Sequence, residues 1–169
     1  IKSLKEKSKL YNDPFPHWEI NDPLSKDSVN EICNAEIANP IQDNLEYDGT
    51  RAIDGGDGKF RTGITDGGKA KKYRCFITKE NFKKFPNLKK FIDELCSKEV
   101  YSHISKLIGK DLSNSYVRLE VICDRKGFWL KPHCDIKEKL LSSLIFVNPA
   151  NESENLGTDL YDKDLNKVK

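Results

Sequence analysis

The apolar residues of this chain change their spacing once, near residue 113, and that change constrains the fold more than any other feature. Before it, Leu88, Phe91, Ile92 and Leu95 fall at i, i+3, i+4 and i+7, and Val100, Ile104, Leu107 and Ile108 repeat the period. This spacing predicts two helices with one apolar stripe each, over 81–97 and 99–109, the second ended by Gly109. After it, Val117, Leu119 and Val121 alternate with Tyr116, Arg118, Glu120 and Ile122, which is the two-residue period of a strand. Further strands are expected at 128–135, 141–147 and 156–161. Asp124-Arg125-Lys126-Gly127 supplies a turn before them, and Asn148-Pro149 ends the second of the three. Helices followed by antiparallel-type strands give an α+β organisation.

The N-terminal part adds mixed elements. Residues 1–9 carry charge without an apolar core, so they read as a solvated helix and not a secretory signal. Pro14 and Pro16 exclude helix from 13–20, where Phe15, Trp18 and Ile20 supply strand-type side chains. Ser25 is positioned to cap a helix reaching about Ala38, with Leu24, Val29, Ile32 and Cys33 on one stripe and Asn39-Pro40 as its stop. Tyr73 to Thr78 is a short strand. Residues 47–68 hold most of the ten glycines. Gly58-Lys59 within them fails the phosphate-loop template, because Ile53 stands where the first glycine belongs and Phe60 follows the lysine. The stretch reads as hairpin turns or a mobile loop, and as the place for substrate contacts. At 169 residues the chain suits one domain, with 1–112 as a helical and mixed part and 113–169 as the strand-rich part.

Composition excludes several classes. Lys and Arg number 29 against 27 Asp and Glu, for a net charge of +2, so the clusters at Lys69–Lys72, Lys83-Lys84 and Lys89-Lys90 are solvated faces, and nucleic-acid binding is not expected. The longest apolar run, Leu144 to Val147, is far short of the ~20 residues of a membrane span. The five cysteines have no C-x-x-C pair, which suits free thiols in a reducing compartment, and a cytoplasmic location is the expectation. Asn151-Glu152-Ser153 matches a glycosylation sequon by chance on that reading. No G-x-S-x-G elbow is present. Methionine is absent where average composition gives about three or four, which leads us to expect a fragment of a longer chain.

Chemistry concentrates at Lys131-Pro132-His133-Cys134-Asp135. In a strand, residues i and i+2 share a face, so His133 and Asp135 project together and Cys134 away from them. A thiolate ligand is therefore not expected. An imidazole and a carboxylate on one face are two of the three ligands of the 2-His-1-carboxylate triad, which leaves three positions of a ferrous ion open. The spacing alone is equally that of a surface histidine beside a charge.

The flanks add specificity. Gly127-Phe128-Trp129-Leu130-Lys131-Pro132-His133-Cys134-Asp135, followed by Lys139-Leu140-Leu141-Ser142-Ser143-Leu144-Ile145-Phe146-Val147-Asn148-Pro149, resembles the 2-oxoglutarate/Fe(II) oxygenase family. The P-H-x-D and K-L-L-S pair is similar to its prolyl-hydroxylase-like branch. Leu156-Gly157-Thr158-Asp159-Leu160-Tyr161 resembles that family's glycine-containing strand, and Pro14-Phe15-Pro16-His17-Trp18-Glu19-Ile20 its opening. The resemblance is good over 114–161 and loose over 13–38.

It implies a double-stranded β-helix, or jelly roll, with N-terminal helices packed on it. It implies Fe(II), 2-oxoglutarate and O2 as cofactor and co-substrates, with ascorbate as an accessory reductant. The implied activity couples decarboxylation of 2-oxoglutarate to hydroxylation of a small-molecule or peptidyl substrate. By position, His133 and Asp135 are metal ligands, and Arg118, Trp129, Phe146 and Tyr161 are candidates to face the co-substrate. Phe146 stands where the family often has a tyrosine and has no hydroxyl to donate. The distal histidine of the triad has no counterpart, since no histidine follows Asp135. His17 and His103 read as structural. Either further strands follow Lys169 and complete the barrel, or the site is not a working one. The competing readings are a non-catalytic jelly-roll binding module and a cupin-like metalloprotein.

Overall fold

The computed structural model describes residues 2–35, 61–62, 72–124, 132–147 and 157–169, with side chains for all of these except 61–62, 72–74 and 123–124. The chain divides into two compact units, one of Ile1–Cys33 with Pro132–Lys169 and one of Asn34–Lys131.

The first unit opens with helix α1 (Lys2–Glu6), shorter than the helix expected over 1–9. Strands β1 (Ser8–Tyr11) and β2 (His17–Ile20) then pair antiparallel, with Leu10 opposite Trp18 and Tyr11 opposite His17. Helix α2 (Lys26–Cys33) starts where the sequence places it and ends at Cys33, short of the expected Ala38. The Ser25 hydroxyl accepts from the Ser28 backbone N–H at 3.1 Å, satisfying one of the donors that a helix leaves open at its N-terminus. At the other end of the unit, Tyr161 bridges Lys167 across a turn organised by Asp162. The Asp162 carboxylate accepts from the backbone N–H groups of Asp164 and Asn166, both at 2.9 Å. The Lys169 ammonium pairs with Glu19 and lies 4.6 Å from the Tyr11 ring centroid, joining the chain's end to the β1–β2 ribbon.

The second unit holds an antiparallel sheet of order β3-β4-β5, built from Arg61–Thr62, Lys72–Ile77 and Leu119–Asp124. Helices α3 (Pro86–Leu95) and α4 (Lys98–Ile108) lie between β4 and β5 in sequence. Despite that insertion Cys75 pairs with Val121 and Ile77 with Leu119. Every buried apolar residue among the described ones belongs to this unit: Cys75, Phe76, Ile77, Phe85, Leu88, Val100 and Val121. Consecutive burial of Cys75, Phe76 and Ile77 marks a central strand covered on both faces. Val121 is buried while Ile122 is exposed, as the two-residue period requires.

Helix α3 begins at Pro86 rather than Asn81. The Asn81 side chain donates to the Phe76 carbonyl at 2.7 Å and accepts from the Thr78 N–H at 2.9 Å. It thus ties a turn to the end of β4, and Pro86 supplies a φ already suited to the first helical position. Helix α4 is bracketed by the Ser97 hydroxyl, which accepts from the Val100 N–H, and by Gly109 at φ 65°.

The strands expected later in the chain differ. Residues 116–118 stand outside β5, which runs on to Asp124. Residues 132–135 and 141–147 carry no ladder, because among the described residues no strand pairs with them, and an extended segment becomes a strand only when a neighbour takes up its backbone groups. Of 156–161, only Tyr161 makes a bridge. Residues 128–131, Asn148-Pro149, residues 36–38 and the glycine-rich stretch apart from Arg61 and Thr62 lie outside the described residues.

Candidate metal centre

Residues 132–147 belong to the first unit and run without helix or strand, broken by one turn in which the Lys139 N–H donates to the Ile136 carbonyl at 3.1 Å. Pro132, His133, Cys134 and Asp135 are all exposed. The strand argument for a shared face of His133 and Asp135 therefore has no ladder beneath it.

What the fold does assemble is centred on Asp135. The Lys139 ammonium donates to Asp135 Oδ1 at 2.6 Å, and the Ser142 hydroxyl donates to Oδ2. The two donors approach different oxygens, so the carboxylate is held from both sides. Hydrogen bonds to an ionised carboxylate are roughly twice as strong as neutral ones. The ion pair is partly shielded, with side-chain exposures of 23% for Lys139 and 32% for Asp135. Lys139 and Ser142 are the first and last residues of the K-L-L-S run. The sequence shows them as a motif, but their shared target could have been read only by noticing that both return, across a turn, to the acid four and seven residues earlier.

The same segment exposes apolar side chains: Ile136, Leu140, Leu141, Leu144 and Phe146, the last at 57%. Phe146, a co-substrate candidate, is thus solvent-facing in this structure. Tyr161 is half-buried in the C-terminal bridge. Arg118 belongs to the other unit, where its guanidinium pairs with Glu120 at 3.0 Å and lies 5.6 Å from the Phe76 ring centroid. Trp129 lies outside the described residues.

His17 and His103 occupy the scaffold. His17 stacks on Tyr11, with ring centroids 5.2 Å apart, and its Nδ1–H donates to the Phe15 carbonyl at 2.9 Å. Its Nε2 is buried and has no hydrogen-bond partner among the described residues. His103 sits on α4, half-buried.

An imidazole and a carboxylate two residues apart are donor types that suit ferrous iron, and ligating carboxylates are themselves hydrogen-bonded by neighbours, as Asp135 is here. By donor type alone, His133 and Asp135 suit two positions of the triad. Among the described residues no three His, Cys, Asp or Glu side chains gather into a metal-holding group.

No protein-family model, curated protein or solved structure matches the chain. Among the described residues no helix is long and apolar enough to cross a membrane.

Proposed function

We propose that this protein is an Fe(II)- and 2-oxoglutarate-dependent oxygenase that hydroxylates a small-molecule or peptidyl substrate. The resemblance of P-H-x-D and K-L-L-S to the prolyl-hydroxylase-like branch supports the reading. One observation carries it furthest: Lys139 and Ser142 both donate to Asp135, so the two halves of the motif form a single hydrogen-bonded unit around one of the metal ligands. We further propose that residues 113–169 contribute to a jelly-roll core, and that the protein works in the cytoplasm.

His133 and Asp135 hold the iron in this proposal. Iron, when bound, supplies activation of O2 coupled to decarboxylation of 2-oxoglutarate to succinate. Asp135 brings a negative charge to offset part of the metal's, and His133 brings a neutral nitrogen ligand. The proposal also requires a distal histidine, which has no counterpart after Asp135, and a cation to pair with the far carboxylate of 2-oxoglutarate. Of the candidates for the co-substrate site, Phe146 and Tyr161 belong to the same unit as His133 and Asp135.

The test is succinate formation from 2-oxoglutarate by a chain that includes a distal histidine, in the presence of Fe(II). Turnover that disappears in His133→Ala and in Asp135→Ala is the expected result. Failure of that chain to bind Fe(II) at all refutes the proposal and leaves the non-catalytic binding module standing.

A further inference from the structure

Resting on that reading, we propose that Lys139 and Ser142 are positioning residues for Asp135, fixing the orientation of its carboxylate before any metal arrives. An aspartate on an exposed segment samples several staggered χ1 wells and a broad χ2. A metal ligand in such a state must be ordered at the moment of binding, and that ordering weakens the complex. Here a donor from Lys139 reaches one carboxylate oxygen and a donor from Ser142 reaches the other. A single donor would leave the carboxylate free to swing about it, whereas two donors on opposite oxygens restrict both torsions together.

The backbone supports the arrangement. The hydrogen bond from the Lys139 N–H to the Ile136 carbonyl closes a turn that carries Lys139 back beside Asp135. The loop from 135 to 142 is thus closed at both ends, by the turn and by the side chain of its first residue. Lys139 is not a metal ligand, since an ammonium has no lone pair to offer, and a serine hydroxyl is not among the donors of a 2-His-1-carboxylate triad.

Two effects of Lys139 on a divalent cation oppose each other. Its charge repels the metal, and its hydrogen bond orients the ligand. The side chains are partly exposed, so water screens the repulsion. Loss of a partner that orients a ligand weakens metal binding by about 10–100-fold. Orientation therefore sets the sign: removing Lys139 weakens the metal complex despite removing a positive charge.

The experiment has a metal-free arm and a metal arm, both on the full chain. In the first, the three-bond couplings of Asp135 Cγ to the backbone nitrogen and carbonyl carbon report χ1 by NMR. The expected result is one rotamer in the wild type, averaging in Lys139→Met and Ser142→Ala, and recovery of the single rotamer in Lys139→Arg and Ser142→Thr. Averaging already present in the wild type, or couplings unmoved by the substitutions, overturns the proposal. In the second arm, Mn(II) binding is followed by electron paramagnetic resonance. Binding weakened by about 10–100-fold in Lys139→Met and Ser142→Ala supports the proposal, and affinity unchanged or tighter overturns it. A wild-type chain that holds Asp135 in one rotamer through Lys139 and Ser142, yet takes up no Mn(II), keeps the positioning and refutes the oxygenase reading instead.

Discussion

Replacing Leu88 by alanine tests whether the second unit has the core described for it. Leu88 lies on α3 and is 1% exposed. The substitution removes three carbons, which at about 0.8 kcal/mol per buried methylene amounts to roughly 2.4 kcal/mol of transfer free energy. The space left behind adds to that, and measured Leu→Ala changes in cores span about 2–5 kcal/mol. We expect a loss of about 3 kcal/mol, an increase of roughly 100-fold in the unfolding constant. With a urea dependence of about 1–3 kcal/mol per molar, the unfolding midpoint falls by about 1–3 M. The assay is urea unfolding followed by far-ultraviolet circular dichroism, with Leu140→Ala as the exposed control. Leu140 is 41% exposed and carries an expected loss within about 0.5 kcal/mol. Equal midpoints for the two variants would mean that α3 does not bury its apolar stripe, and the core assignment falls.

Burial pushes the Cys75 thiol up from its ordinary value, against the smaller lowering effects of Lys84 and of the hydrogen bond from Asn81. Cys33, Cys96 and Cys134 should therefore alkylate with iodoacetamide well before Cys75, which reacts only on unfolding, and equal rates refute this. Because its folded value is raised, Cys75 contributes stability that is fully present below pH 9.0 and lost as the pH rises through the folded value, so the alkaline limb of a pH–stability curve should flatten in Cys75→Ala. Asp162 is held below its ordinary carboxylate range, first by the Asn166 side chain and then by the backbone N–H groups of Asn166 and Asp164. Its contribution is present above pH 3.8 and lost as the pH falls through the folded value. Amide protection at Asp164 and Asn166 should drop in that window and become insensitive to it in Asp162→Ala. Gly109→Ala should cost about 1–2 kcal/mol from the left-handed backbone alone, since a Cβ there meets nothing within 4 Å, and Gly109→Asn less; a thermal midpoint unchanged by alanine would contradict the αL cap.

Local chemistry was legible in the sequence and long-range pairing was not. The Ser25 cap, the Gly109 terminus and the stripe of Leu88, Phe91, Ile92 and Leu95 depend on residues within two helical turns of one another, and the fold places them as their spacing implies. The start of α3 escaped the periodicity because Asn81, which the pattern places inside a helix, bonds the end of β4 instead. The partnership of β4 with β5 joins residues on either side of two helices, and no local signal encodes it. The strand expectation at 141–147 illustrates the reverse, since its apolar content suits a strand but the described residues offer it no partner. At the candidate site, His133 and Asp135 stood out by residue type and spacing. The roles of Lys139 and Ser142 required the turn at 136–139, whose geometry the residue types do not dictate.

The pairing of Ile77 with Leu119 means that the ladder between β4 and β5 is a non-local structure, closed over residues 78–118. Bringing two ends of an unstructured loop of that length together costs about 3 kcal/mol in chain entropy before a single rung forms. Helix formation within that span shortens the effective loop, because the bonds of α3 and α4 are close in sequence. Local helix formation is the faster elementary event, so we expect α3 and α4 to form before the registry of β4 and β5 is set. Helix caps such as Ser97 and Gly109 thereby influence how fast a sheet forms to which neither residue belongs.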